Sequence, residues 1–121
     1  MKYILLIYSS DQAWATQTPA QLQEVMGRYR VFTESVRASG QMVGGEKLEP
    51  ASTATTVRVR DGKTLTTDGP FAETKEQLGG FYLIEAKDLD EAIGIAARIP
   101  GAAYGAVEVR PISSMPSPPS R

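Results

Sequence analysis

Near the end of the chain, Glu108 and Arg110 have the residue types and the spacing to bind a polar ligand. They alternate with Val107 and Val109, so on a β-strand the two charged side chains share one face and the valines share the other. If the valines pack under helices, the charged pair faces a cleft. There it forms either a structural salt bridge or a carboxylate and guanidinium pair that binds a polar ligand, and the sequence leaves both interpretations open.

A second candidate lies in the segment TDGPFAETKEQLGG at residues 67–80. Asp68 begins a turn sequence in which the following glycine and proline fix the backbone. Its carboxylate either caps its own turn or lies at the mouth of a cleft. We predict that Phe71, directly after the turn, is buried and anchors this corner to the core.

Lys75 follows in the same segment, between Glu73 and Glu76 and ahead of two consecutive glycines. A lysine beside backbone that a ligand can approach closely would neutralise an anionic molecule. The alternative is a solvated charged face. We predict that the turn at Asp68 brings Lys75 to the cleft.

The last candidate, Tyr29, belongs to an apolar stripe with helical spacing. The members of the stripe are Leu22, Val25, Met26, Tyr29, Phe32 and Val36. An aromatic side chain on such a stripe is interpreted either as part of the core or as a ligand-binding side chain whose hydroxyl needs a partner.

The chain contains no histidine and no cysteine. This composition removes the usual general base near neutral pH, thiolate nucleophiles and the commonest ligands of zinc and haem. We therefore predict no metal site and no cofactor, and the sequence leaves open whether the protein is an enzyme.

The size and charge of the chain favour one ordinary globular domain. It has 121 residues, of which 13 are basic and 14 acidic, for a net charge of -1. We predict a domain over residues 1–112 and a disordered, proline- and serine-rich tail over 113–121. Without a positive field, direct binding to nucleic acid is not expected. No apolar run has the length of a membrane span or a signal peptide, so we expect a cytoplasmic protein that does not bind membranes.

Apolar periodicity and turn residues predict the order of the elements. They are a strand over 3–8, a helix from 19 that stops at Gly40, a strand over 42–48, hairpin strands over 55–60 and 64–67, a strand over 80–86, a helix over 89–99 and a strand over 104–112. Both helices begin with a capping-box pattern. For the hairpin we predict a three-residue loop with Gly62 left-handed, because it places Leu65 on the same face as Val57 and Val59.

This order is two βαβ halves around a hairpin, which predicts a ferredoxin-like α+β fold with both helices on one face of the sheet. The other face is left uncovered. Large apolar side chains such as Tyr8, and either Leu83 or Ile84, cannot all lie under the helices. A second copy of the chain is the simplest cover, so we predict a homodimer.

Four segments together resemble the DGPF branch of the YCII-related family over residues 2–112. They are KYILLIY at 2–8, VGGE at 43–46, TTDGPFAETKEQLGGFYLIE at 66–85 and YGAVEVRPI at 104–112. The resemblance implies a dimeric α+β barrel, in which two ferredoxin-like sheets pack face to face around a cleft. It also suggests a regulatory association with an extracytoplasmic-function sigma factor.

Enzymes of the wider family rely on a histidine and aspartate pair, and the position of that histidine falls on Tyr29. Histidine-dependent chemistry therefore does not carry over to this chain. The leading hypothesis is a homodimer that binds a small polar or anionic molecule in its cleft through Tyr29, Asp68, Lys75, Glu108 and Arg110. The alternatives are a module acting with a sigma factor and an enzyme that uses carboxylate, lysine or tyrosine chemistry.

Overall fold

The structure, a computed structural model, describes residues 1–114. The tail predicted to be disordered, residues 113–121, lies outside this range except for its first two residues. The chain is a mixed α+β protein. A four-stranded antiparallel sheet has the order β2 (Met42–Lys47), β5 (Gln77–Glu85), β1 (Lys2–Ser9), β6 (Ala106–Pro111). A separate hairpin consists of β3 (Thr55–Arg60) and β4 (Lys63–Asp68). The helices are α1 (Asp11–Ala15), α2 (Pro19–Ala38) and α3 (Leu89–Ala97).

The core lies on the face of the four-stranded sheet that α2 and α3 cover. β1 is central because it pairs with β5 on one side and β6 on the other, and its side chains Tyr3 and Leu5 point under the helices. The buried residues around them come from both helices, from β5 and from the segment that follows α3. They include Phe32, Val36, Ile84, Ala92, Ile95 and Ile99. Alternation along the strands thus puts every second residue of β1 into one core.

The two longer helices begin as the sequence predicts, with one difference at α3. The Thr18 hydroxyl accepts a hydrogen bond from the Gln21 backbone at 3.1 Å, and the Gln21 side chain accepts one from the Thr18 backbone at 2.8 Å. At α3, Asp88 accepts from the Glu91 backbone at 2.9 Å. The Glu91 carboxylate accepts from the backbone N–H of Lys87, one residue before the cap, so the reciprocal half of that capping box is not formed.

Thr18→Ala should lower the free energy of unfolding by about 1 kcal/mol, because it removes the side-chain acceptor for an otherwise unpaired N–H of α2. Urea denaturation measures the loss. The matched control is Thr16→Ala, whose hydroxyl only donates to backbone carbonyls at the end of α1 and should cost less than about 0.5 kcal/mol. Equal losses in the two variants would contradict the capping argument.

The predicted three-residue hairpin loop is wrong. Asp61 and Gly62 both have positive φ, 52° and 74°, and form a two-residue turn whose twist matches that of the strands. Leu65 therefore pairs with Arg58 and lies opposite the valine face. The prediction assumed that the hairpin packs on the core, but the hairpin forms its own sheet, where no core requires the apolar side chains to share a face.

The prediction of Phe71 as a core anchor is also wrong. Its side chain is 76% exposed, and the guanidinium of Arg58 lies 5.3 Å from the centre of its ring. Hydrogen bonds to the backbone of Gly69 hold the corner instead. The N–H of Gly69 donates to the carbonyl of Ala54 at 2.7 Å, and the Thr56 hydroxyl donates to the carbonyl of Gly69 at 2.8 Å.

A polar connection in the sequence contains the short helix α1. Ser10 caps it by accepting from the Ala13 backbone at 3.1 Å. β5 also begins three residues earlier than predicted, at Gln77, and a β-bulge between Ile7 and Tyr8 shifts its register with β1. Both features lie beside the cavities described below.

No helix covers the second face of the four-stranded sheet, which we call the open face. It carries the strand residues that alternate with the core residues, and its apolar members are partly exposed. They are Ile4, Leu6, Tyr8, Leu78, Phe81 and Leu83. Of the two residues that the sequence left undecided, Leu83 is on the open face and Ile84 is fully buried under the helices.

Candidate functional site

On the open face, Tyr8 lies beside the charged pair of β6. β1 pairs with β6 so that Leu6 is opposite Glu108 and Ile4 is opposite Arg110. The Tyr8 hydroxyl donates a hydrogen bond to the Glu108 carboxylate at 3.3 Å. The charged pair therefore lies on the face opposite Val107 and Val109, which pack against the core, and residues 1–114 contain no ion pair between Glu108 and Arg110.

These groups act on the ionisation of Tyr8. Partial burial, the charge of Glu108 and the hydrogen bond to it raise the pKa of the Tyr8 phenol above its ordinary value of 10.0, and Arg110 acts in the opposite direction. At neutral pH the phenol is a protonated hydrogen-bond donor. Tyr8, Glu108 and Arg110 together form what we call the open-face cluster.

Lys75 borders the same region. It lines a cavity of about 670 Å³ together with Tyr8, Ser10, Thr74, Glu76 and Ala106. The loop that carries Lys75 is held by the Gln77 side-chain amide, which donates to the carbonyls of Ala72 and Thr74 at 3.0 Å each. The structure thus brings Lys75 and Tyr8 to one cavity.

The other two predicted residues lie elsewhere. Asp68 is exposed at the end of β4, lines neither cavity, and makes no side-chain hydrogen bond or ion pair within the described part of the chain. Tyr29 lies on the helix side of the sheet, where its hydroxyl accepts from the Gly101 N–H at 3.1 Å. A Cβ at position 101 would come within 2.6 Å of that hydroxyl, so a glycine is required for the contact. Burial raises the pKa of Tyr29, and the hydrogen bond from Gly101 opposes that rise.

Tyr29 lines a second, larger cavity of about 910 Å³, which we call the helix-side cavity. The sheet forms its floor, α1 and α2 form two walls, and residues 48–51 form a third. Sequence reasoning missed Trp14, which also lines it. A single tryptophan within a polar connection was the available signal, because so large an apolar side chain needs a surface to pack on.

Comparison with known proteins identifies the family of the chain. The YCII-related domain matches residues 1–116. The chain belongs to the YCII-related family. An uncharacterized protein of Rhizobium meliloti (strain 1021) is 36% identical to this YCII-related chain over 115 residues, which cover 93% of each protein.

Residues 1–114 of this YCII-related chain lack two features. No helix in that range is long and apolar enough to cross a membrane. The same range contains no group of three or more acidic side chains placed to hold a metal ion.

Glu108→Gln should lower the pKa of Tyr8 in this YCII-related protein, because the amide keeps an acceptor but removes the charge that disfavours the phenolate. The folded wild type holds the phenol proton more tightly than the unfolded chain does. The free energy of unfolding of the wild type therefore falls as the pH rises above about 10, and that of the variant falls by less over the same change in pH. Titration of the tyrosine ring carbons by NMR measures the pKa. Glu24→Gln, on the exposed surface of α2, is the control, and an unchanged Tyr8 pKa in Glu108→Gln would contradict the assignment.

Proposed function

We propose that this YCII-related protein, of the DGPF branch, is a homodimer that binds a small polar or anionic molecule in a cleft between its subunits. The antiparallel order β2-β5-β1-β6, with α2 and α3 packed on one face, supports a ferredoxin-like plan for each subunit. In the dimer, two such sheets pack face to face as an α+β barrel.

The open face supports this arrangement. Its six large apolar side chains form one contiguous surface along β1 and β5, and each is only partly covered within the subunit. Surfaces of this kind on soluble proteins mark contacts with other molecules. A twofold-related copy offers a matching apolar surface of the same size.

The observation that carries the ligand proposal is that Lys75 and Tyr8 line one cavity while Tyr8 also donates to Glu108. The ammonium of Lys75 and the guanidinium of Arg110 attract an anionic group, and the protonated phenol supplies a neutral donor. Glu108 accepts from a hydroxyl or an amine of the same molecule. A cavity lined by Tyr8, Lys75 and Glu76 beside the charged pair favours ligand binding over a module that only contacts another protein.

Small carboxylates and phosphate should raise the melting temperature of the wild type if this proposal holds. A ligand at a hundred times its dissociation constant adds about 2.7 kcal/mol of stability. Lys75→Ala and Arg110→Ala should each keep the unliganded melting temperature, because both side chains are exposed, and lose the ligand-dependent shift.

The matched control is Lys63→Ala, which removes an exposed lysine from the hairpin. It should keep the full shift. The ligand proposal fails if no member of the panel stabilises the wild type, or if Lys75→Ala and Arg110→Ala respond as Lys63→Ala does.

A further inference from the structure

We propose that the helix-side cavity is a second, independent binding site, and that it takes a planar aromatic molecule that is neutral or positively charged. It lies on the opposite side of the sheet from the open-face cluster, because Ile7 and Ser9 line it whereas Tyr8 points the other way. Neither a dimer nor an anion is needed for it. The proposal therefore does not rest on the one above.

The size and lining of the cavity match a small-molecule site. Its volume of about 910 Å³ lies within the range of ligand pockets, and such pockets are mostly apolar with a few polar groups. Apolar and aromatic side chains dominate the walls. They include Ile7, Trp14, Leu22, Val25, Met26, Tyr29, Leu48 and Tyr82. Leu22 and Met26 are 39% and 60% exposed. Part of the apolar wall is therefore accessible from solvent.

Trp14 is held in place by contacts of its own. Its indole N–H donates to the Ser9 hydroxyl at 2.8 Å, and its ring packs against Tyr104 with centroids 5.2 Å apart. A ring fixed in this way loses little freedom when a ligand binds.

Tyr29 and Tyr82 are fixed in the same manner. The Tyr29 hydroxyl is bound by the Gly101 N–H, and the Tyr82 ring packs on Phe32 with centroids 5.2 Å apart. With Trp14, the cavity has three aromatic walls that are rigid before a ligand arrives. Offset-stacked or edge-to-face contacts with such walls favour a planar ring.

The floor and one hydroxyl add specificity. Three glycines of the strands, Gly45, Gly79 and Gly80, line the cavity. A Cβ at Gly45 would meet the Tyr82 ring at 2.8 Å and a Cβ at Gly80 would meet the Glu46 carbonyl at 3.0 Å, so neighbouring atoms fill the space beside these two. Beside Gly79 the nearest atom is 3.9 Å away, which leaves room there for a flat molecule to approach the sheet. Within residues 1–114 the Tyr29 hydroxyl accepts a hydrogen bond but donates none. Its proton is available to a hydroxyl or amine substituent on the ligand.

Charge selects between ligands of the same shape. Four charged residues line the cavity: the acids Asp11, Glu46 and Glu49 and the base Lys47. β2 pairs Glu46 with the open-face residue Phe81, so the Glu46 side chain points to the open face, and the acids on the cavity side are Asp11 and Glu49. The excess of carboxylates disfavours an anionic ligand and favours a neutral or cationic one. This preference is opposite to the one proposed for the open-face cluster.

The test uses three biphenyl compounds with one ring system and different charge: biphenyl-4-methanol, biphenyl-4-methylamine and biphenyl-4-carboxylate. Calorimetry gives affinities, and the fluorescence of Trp14, the single tryptophan of the chain, reports binding in this cavity. The alcohol and the amine should bind saturably and change the emission, and the carboxylate should bind at least about tenfold more weakly. No saturable change with the alcohol and the amine, or equal affinity for the carboxylate, would overturn the proposal.

A charge placed at the cavity gives a second, independent readout. Met26→Arg adds a cation to the cavity wall, and Val31→Arg makes a similar change on α2 at a residue that is 67% exposed and does not line the cavity. Met26→Arg should weaken the amine and strengthen the carboxylate by about fivefold each, as expected for one charge at an effective dielectric near 40. Val31→Arg should leave both affinities within about twofold. Identical behaviour of the two variants would show that the compounds bind elsewhere, and the proposal would be wrong.

Discussion

Leu5→Ala will lower the free energy of unfolding by about 2–5 kcal/mol, because Leu5 is completely buried and its removal leaves a cavity between the sheet and the helices. The next residue provides the matched control. Leu6 has the same side chain on the same strand but lies on the open face, opposite Phe81 and Glu108. Within one subunit, Leu6→Ala will cost less than half as much.

Urea denaturation at several protein concentrations measures both effects. The loss in Leu5→Ala should not change with concentration, since it arises inside one subunit. The loss in Leu6→Ala should grow with concentration, because the proposed dimer contributes more to the stability of the wild type at higher concentration. If Leu6→Ala costs as much as Leu5→Ala in dilute, monomeric protein, the assignment of the two faces is wrong.

Leu83→Asp will dissociate the proposed dimer. Leu83 is near the middle of the open face, where β5 pairs it with Ile4 on one side and Gly44 on the other. A carboxylate placed there would lose its water in the interface without gaining a partner. We expect the dissociation constant of the dimer to rise at least about a hundredfold, which corresponds to about 2.7 kcal/mol.

Sedimentation velocity at micromolar concentration distinguishes the two states. Ile93→Asp is the control, since Ile93 is on α3 with 49% of its side chain exposed and lies away from the open face. It should remain a dimer. A wild type that sediments as a monomer, or a Leu83→Asp protein that sediments as a dimer, would contradict the homodimer proposal.

Features that depend on local sequence were predicted from the chain. The capping box at Thr18 was confirmed, and so was the end of α2, where Gly40 has a φ of 77°. Strand alternation alone places Glu108 and Val109 on opposite faces of β6. The sequence could therefore identify Glu108 and Arg110 as part of the open-face cluster. These features need only neighbouring residues to be specified.

Features that depend on distant contacts were missed. Tyr8 and its acceptor Glu108 are 100 residues apart, and only the register of β1 against β6 brings them together. The sequence also gave no sign that the hairpin stands outside the main sheet, so the predictions for Leu65 and Phe71 both assumed a core that is absent there. The helix-side cavity required the positions of α1, α2 and three strands at once.

The separate hairpin also has a consequence for protein engineering. Within residues 1–114, β3 and β4 form a ladder with each other and with no other strand, and the turn at Asp61 and Gly62 is exposed. A label or an affinity tag inserted at that turn would break no hydrogen bond of the four-stranded sheet. Residues added or removed in pairs at this turn, one in each strand, would keep the remaining side chains of β3 and β4 on their faces.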